Sequence, residues 1–143
     1  MLRIVYTSVQ AVPFGPEDLE SLLARASVLN ESVGVTGILL VSQREFLQCI
    51  EGPAEAVRQV YRRIQADPRH TDLQILSSGP IRRRQFDRWS MVGLMVPPQQ
   101  EGVHSAFSLL DHRLDRPWRT LGKAALELIQ EYAHIKLAVE AQP

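Results

Sequence analysis

The order in which two hydrophobic periods follow one another along residues 2–96 restricts the fold more than any single motif. "LRIVYTS" (2–8) is β-branched and alternating, the period of a strand. After the break "VPFGP", Leu19, Leu22, Leu23, Ala26 and Val33 recur at helical spacing from Pro16 to about Val33. Pro16 suits a first helical position, Glu17, Asp18 and Glu20 suit the first turn, and Gly34 ends the helix. "TGILLVS" (36–42) and "EFLQCIE" (45–51) read as two strands of a hairpin around Gln43-Arg44. Gly52-Pro53 breaks the chain again, and residues 54–66 place Val57, Val60, Tyr61 and Ile64 on one helical stripe. Pro68 disfavours helix at Asp67 and stops it. "LQILSSGPI" (73–81) and "SMVGLMV" (90–96) are two further strands, joined by the basic link "RRRQFDR". The order is βαββαβ plus a final strand, the ferredoxin-like split βαβ pattern with an added edge strand.

Such a sheet carries both helices on one face. Its other face is apolar too, because Leu47 and Cys49 point away from Phe46, Gln48 and Ile50. An uncovered apolar face of that size is unusual. After Pro97-Pro98, residues 101–111 place Val103, Ala106, Phe107 and Leu110 on one side. Residues 118–139 do the same with Leu121, Ala125, Leu128, Tyr132, Ile135 and Val139. The expectation is an α+β fold: a ferredoxin-like βαββαββ sheet with two helices on one face and C-terminal helices on the other. Residues 1–97 form the domain, and residues 98–143 a helical cap or output segment. Trp118, opening the last helix, is expected to pack on the sheet or on a second subunit.

Composition removes several classes. A chain of 143 residues with 45% hydrophobic residues fits one domain with a real core. Lys plus Arg equals Asp plus Glu at 16 each, so there is neither a basic field for nucleic acid nor an acidic tail. Cys49 is the single cysteine, which forbids an internal disulfide, gives no metal cluster and fits a reducing compartment. Its place on the far face makes it a core thiol. The N-terminus is too short and polar for a signal peptide, and no apolar run spans a bilayer, so a soluble cytoplasmic protein is expected. "RRR" at 82–84, with Arg88, reads as a solvated connection without the interleaved aromatics of a nucleic-acid groove. His104 and His112 lie eight apart, a poor spacing for one metal, and His134 has no ligand-type neighbour. "SSG" at 77–79 lacks the following helix of a phosphate loop.

Three polar groups interrupt the apolar stripes. Gln48 sits between Phe46 and Ile50, and Tyr6 between Ile4 and Ser8. Asn30 follows Leu19 by eleven residues, about three turns at 3.6 residues per turn, so it continues a buried stripe. In the split βαβ order the first and third strands are central neighbours, which brings Tyr6 and Gln48 together beneath the first helix. A buried amide without partners costs roughly 1–3 kcal/mol. Two readings follow. Each group bonds a nearby backbone group, or together they form a pocket for a planar heterocycle with an imide or amide edge. Two carboxamides donate and accept as such an edge requires, and Leu22, Leu39, Phe46 and Ile64 sandwich a ring.

Five blocks, in order, resemble the BLUF family of flavin-using blue-light sensors. They are "LRIVYTS", "LNESVGVTGILL", "FLQCIEG", "VYRRIQADPRH" and "FDRWSM", and the resemblance covers about residues 1–97. It implies a flavin (FAD, with FMN or riboflavin as alternatives) between the two helices. It implies that Asn30 pairs with the imide edge, and that Gln48 is the switch amide beside N5 and O4, bonded to Tyr6. Tyr6 is the implied donor of an electron and a proton. Trp89 and Met91 match the pair whose members exchange positions or transmit the signal. Arg63, Ile64, Asp67 and His70 match positions lining the far side of the ring and the ribityl chain, and Arg25 reaches a phosphate. Ser8, Leu22, Leu39 and Phe46 complete the cofactor-binding set. The family often has a polar residue where this chain has Leu29, which cannot bond the flavin O2.

The resemblance also implies that light reorients or tautomerises the Gln48 amide and shifts absorption slightly to the red. With no catalytic set in residues 101–140, a non-enzymatic sensor acting in trans or by oligomer rearrangement is expected. The family suggests a cyclic-nucleotide enzyme or a transcriptional regulator as the downstream protein, with no direct nucleic-acid or membrane contact. Two other readings stand beside it: a flavin-free ferredoxin-like protein-binding regulator, and a small ferredoxin-like hydrolase, for which no nucleophile, base and anion loop occur in order.

Overall fold

The computed structural model of the chain describes residues 1–42, 44–96 and 118–141. The helix expected over 101–111, with His104 and His112, lies outside the described residues, as does the Trp118 side chain. The elements are β1 (Leu2–Gln10), α1 (Pro16–Val33), β2 (Thr36–Val41), β3 (Glu45–Gly52), α2 (Ala54–Ala66), β4 (His70–Pro80), β5 (Val92–Met95) and α3 (Trp118–Glu140). The sheet order is β4-β1-β3-β2-β5. β1–β3, β1–β4 and β2–β3 are antiparallel, and β5 joins β2 in parallel. This is the split βαβ arrangement with β5 as the added edge.

Two strands differ from their sequence reading. β4 begins at His70, three residues before "LQILSSGPI", because the long β1 carries pairing as far as Gln10 opposite His70. The register shifts between Thr7 and Val9, where Asp72 takes a left-handed φ of 53°. Aspartate is among the few side chains that tolerate that region. β5 begins only at Val92. Just before it, the Trp89 carbonyl accepts the Gly37 N–H at 3.0 Å and the Ser90 carbonyl accepts Asn30 Nδ2 at 3.0 Å.

The sheet separates two cores. Ile4, Tyr6, Leu39, Phe46 and Ile50 face α1 and α2, meeting Leu19, Val57 and Val60. Val5, Ile38, Leu40, Leu47 and Cys49 face α3, meeting Ala125, Leu128, Ile129, Tyr132 and Ala133. α3 therefore covers the second apolar face. Burial of a side chain as enclosed as Ile129 contributes about 1.5–3 kcal/mol. The stripe expected to include Ile135 and Val139 leaves the sheet before reaching them, and both are more than half exposed. A 3.5-residue stripe drifts by roughly 20° per heptad around a straight helix, so Ile129 and Ala133 take the buried places instead. His134 is exposed. Among the described residues, no helix is long and apolar enough to cross a membrane, and no cluster of three metal-ligand side chains is found.

Candidate functional site

The antiparallel register places Tyr6 directly opposite Gln48, with Leu39 on the other side of Gln48. Tyr6 and Gln48 are both buried. The Tyr6 hydroxyl donates to Gln48 Oε1. Gln48 Nε2 donates to Met91 Sδ at 3.2 Å. Both ends of the amide are thus engaged, one by a phenol and one by a thioether, which is a weak acceptor. Burial pushes the Tyr6 phenol far above its ordinary range, with the Tyr61 phenol and the Asp67 carboxylate adding to it. Tyr6 is therefore a donor across neutral pH, and this turns the Gln48 carbonyl toward it. Tyr61 also packs edge-on against Tyr6, with ring centroids 5.6 Å apart.

Asn30 lies in the last turn of α1. Gly34 caps the helix in the left-handed region at φ 74°, and Val35 N–H donates to the Asn30 carbonyl at 2.9 Å. Only a residue without a side chain adopts that cap freely. Asn30 Nδ2 is taken by Ser90, as above, and Asn30 Oδ1 has no protein partner among the described residues. Gly93 in β5 lies under the side-chain tips of α1. A β-carbon there would lie 2.8 Å from Leu19 Cδ1 and 3.0 Å from Leu23 Cδ1.

Between α1, α2 and the sheet lies a cavity of about 260 Å³. This approaches the lower end of the roughly 300–1,000 Å³ typical of small-molecule sites. Tyr6, Leu39, Phe46, Gln48 and Met91 form its floor. Leu22, Arg25 and Asn30 come from α1, Arg63 and Ile64 from α2, Asp67 from the turn beyond and His70 from the start of β4. All of these are among the residues that the sequence points to. Phe14, Ala26, Val60 and Arg69 also line it, and so does Leu29, which is half exposed at the mouth. Ala26 and Val60 were legible as stripe residues. Phe14, in the loop before α1, carried no periodic signal.

Two singled-out residues do not line the cavity. Ser8 is buried behind it, 2.8 Å from His70 Nδ1. His70 Nε2 meets the Ile64 carbonyl, which can only accept, so Nε2 carries a proton, and in the neutral ring Nδ1 is left to accept from the Ser8 hydroxyl. Trp89 packs with the core on the opposite face and donates Nε1–H to Glu140 Oε1 at 3.3 Å. Cys49 is fully buried on that face, and burial, then the Glu51 charge, pushes its thiol up.

At the rim, hydrogen bonds from Arg69 hold the Asp67 carboxyl below its usual range against the opposing effect of burial. Arg25 and Arg63 have no ion-pair partner among the described residues. Two inward amides, apolar walls and unpaired cations at the mouth suit a flat heterocycle with an imide edge and a phosphate tail.

Residues 1–92 match the family model described as BLUF, sensors of blue-light using FAD. The photoactivated adenylate cyclase subunit beta of Euglena gracilis is 34% identical over 92 residues, 64% of this chain and 11% of that protein. The blue light- and temperature-regulated antirepressor BluF of Escherichia coli strain K12 is 37% identical over 73 residues, 51% of this chain and 18% of that one. The solved dark-state structure of BlrB, a BLUF protein, aligns with a TM-score of 0.63 at 34% identity, covering 66% of this chain and 71% of that one. The chain spans only a small part of the length of the two curated relatives. On the match over residues 1–92, this chain belongs to the BLUF family, sensors of blue light that use FAD.

Proposed function

We propose that the chain is a blue-light photoreceptor whose switch is the Gln48 amide, held between Tyr6 and Met91 on the cavity floor. That double engagement is the observation that carries the reading. Asn30 and Gln48 are the amides available to the edge of a flavin, FAD or in its place FMN or riboflavin. Leu22, Leu39, Phe46 and Ile64 would enclose the ring, Arg63, Asp67 and His70 would line its far side and the ribityl chain, and Arg25 is the cation available to phosphate. Bound flavin supplies the absorption of blue light and, once excited, an oxidant for a neighbouring phenol.

Tyr6 keeps its proton until an electron is withdrawn, then passes it along its hydrogen bond to Gln48 Oε1. The amide that returns the proton comes to rest reoriented or tautomerised. Turned over, it presents Nε2 to Tyr6 and Oε1 to a sulfur that has nothing to donate. The Tyr6 hydroxyl then lacks its acceptor. A buried polar group left unpaired costs about 1–3 kcal/mol, so the turned state relaxes thermally to the dark one.

The output belongs to the same proposal. Residues 1–97 sense, residues 98–143 relay, and the chain acts as a non-enzymatic, oligomer-forming cytoplasmic sensor on a partner in trans. The names of its relatives, a cyclase subunit and an antirepressor, support a cyclic-nucleotide enzyme or a transcriptional regulator as that partner. An absorption spectrum before and after a blue pulse tests the sensor. The purified protein is expected to be yellow, with bands that move reversibly to the red. A protein that takes up no flavin, or one whose bands stay fixed, contradicts it.

A further inference from the structure

Glu51 is fully buried, three residues beyond Gln48 on β3 and on the opposite side of the sheet. Its Oε1 accepts the backbone N–H groups of Gln85 and Phe86 at 2.9 and 2.8 Å. Its Oε2 accepts Arg3 Nε and Nη2, each at 2.8 Å. The segment anchored in this way passes from the far face to the cavity. Phe86 is buried in the core beneath α3, the Ser90 carbonyl meets Asn30, and Met91 reaches Gln48. One strand therefore grips the 85–91 segment twice, through Glu51 on one side and Gln48 on the other. The segment also touches α3 twice. Gln130 Nε2 donates to Gln85 Oε1 at 2.7 Å, and Trp89 donates to Glu140.

We propose that Glu51 is a positioning residue of the photoswitch: it anchors the 85–91 segment so that the Met91 sulfur stays against the Gln48 amide. The inference rests on the switch reading above. A charge taken out of water needs its full set of partners. Here two of the four bonds are spent on the backbone of a connection that has no ladder of its own. Arg3 is the outer, part-exposed partner and does not touch the segment. With the anchor weakened, Met91 no longer fills the space beside Nε2, and a reoriented amide turns back more easily.

The test uses the full flavin-loaded chain and three variants, Glu51→Gln, Glu51→Asp and Arg3→Met. Glu51→Gln removes the charge. Whichever way the amide turns, its N–H groups meet donors, the Arg3 guanidinium or the Gln85 and Phe86 N–H groups, while a neutral oxygen holds the other side more weakly. Glu51→Asp keeps the charge but withdraws it by one methylene, and it carries the test if the glutamine variant does not fold. The readouts are the dark-state ¹H–¹⁵N signal of the Gln48 side-chain amide and the rate of recovery after a blue pulse. The Gln48 signal moves in the Glu51 variants, and recovery accelerates by about threefold to tenfold, the worth of one neutral hydrogen bond. Arg3→Met changes neither, although it lowers thermal stability. If the Glu51 variants retain flavin with an unmoved Gln48 signal and wild-type recovery, or if Arg3→Met shifts both readouts as much as they do, the inference is overturned. A wild-type chain that shows no light response at all fails the switch reading itself, before any variant is compared.

Discussion

Trp89 and Met91 are two residues apart yet stand on opposite sides of one sheet. Met91 Sδ accepts from Gln48 on the cavity floor, while the half-buried Trp89 ring packs against the core beneath α3 and donates to Glu140. On an extended strand, residues i and i+2 share a face. They do not here because the ladder starts only at Val92. The short crossing between them is the physical link from the photochemical face to the α3 face.

Replacing Tyr6 by phenylalanine removes the donor to Gln48 Oε1 and leaves the cavity its shape. Tyr6→Phe is expected to bind flavin and to show no light-induced red shift. An absorption difference spectrum checks this, and a normal shift in the variant refutes the donor assignment. In the flavin-free protein the unpaired Gln48 carbonyl costs about 1–3 kcal/mol in urea unfolding.

The same phenol gives an alkaline signature. Its folded pKa is raised by burial first, above the ordinary value of 10.0. Above that ordinary value the folded chain holds a proton that the unfolded chain has lost. The stabilisation is therefore complete below the unfolded pKa and falls as pH rises beyond it. Tyr61 and Tyr132 shift in the same direction through burial. Tyr6→Phe should thus make the loss of stability above pH 10 shallower without abolishing it, as chemical unfolding at a series of alkaline pH values will show.

α3 is held by its apolar stripe. Ile129 is fully buried against the far face of the sheet, and truncation to alanine is expected to cost about 2–5 kcal/mol. Urea unfolding measures the loss. Ile135→Ala, at an exposed position of the same helix, should change stability by no more than about 0.5 kcal/mol.

Removing the flavin should destabilise the fold by mass action. At a free flavin concentration of roughly 100 times Kd, the bound form is more stable by about 2.7 kcal/mol. Thermal unfolding of loaded and stripped protein, with and without added FAD, measures the difference. A melting temperature indifferent to FAD contradicts the site.

Much of this architecture was legible because it follows from period and order. Alternation assigned Gln48 and Cys49 to opposite faces, the split βαβ order made their strand a neighbour of the one bearing Tyr6, and an eleven-residue spacing placed Asn30 on the buried stripe. Residues positioned by tertiary hydrogen bonds were not legible. Glu51 reads as the polar end of a strand, and its burial is explained only by Arg3 and by two backbone N–H groups more than thirty residues away. The separation of Trp89 from Met91 depends on carbonyls captured by Gly37 and Asn30, which no local pattern records. Ser8 shares the alternation of Tyr6, but it is buried and bonds to the His70 ring, which lines the cavity where Ser8 does not.

The central claim concerns one amide, so the most direct measurement compares light-minus-dark absorption of the wild-type chain with that of Gln48→Leu, both carrying stoichiometric FAD. The account predicts a reversible red shift in the wild type and none in the leucine variant, which stays yellow. An undiminished shift without the Gln48 amide contradicts it.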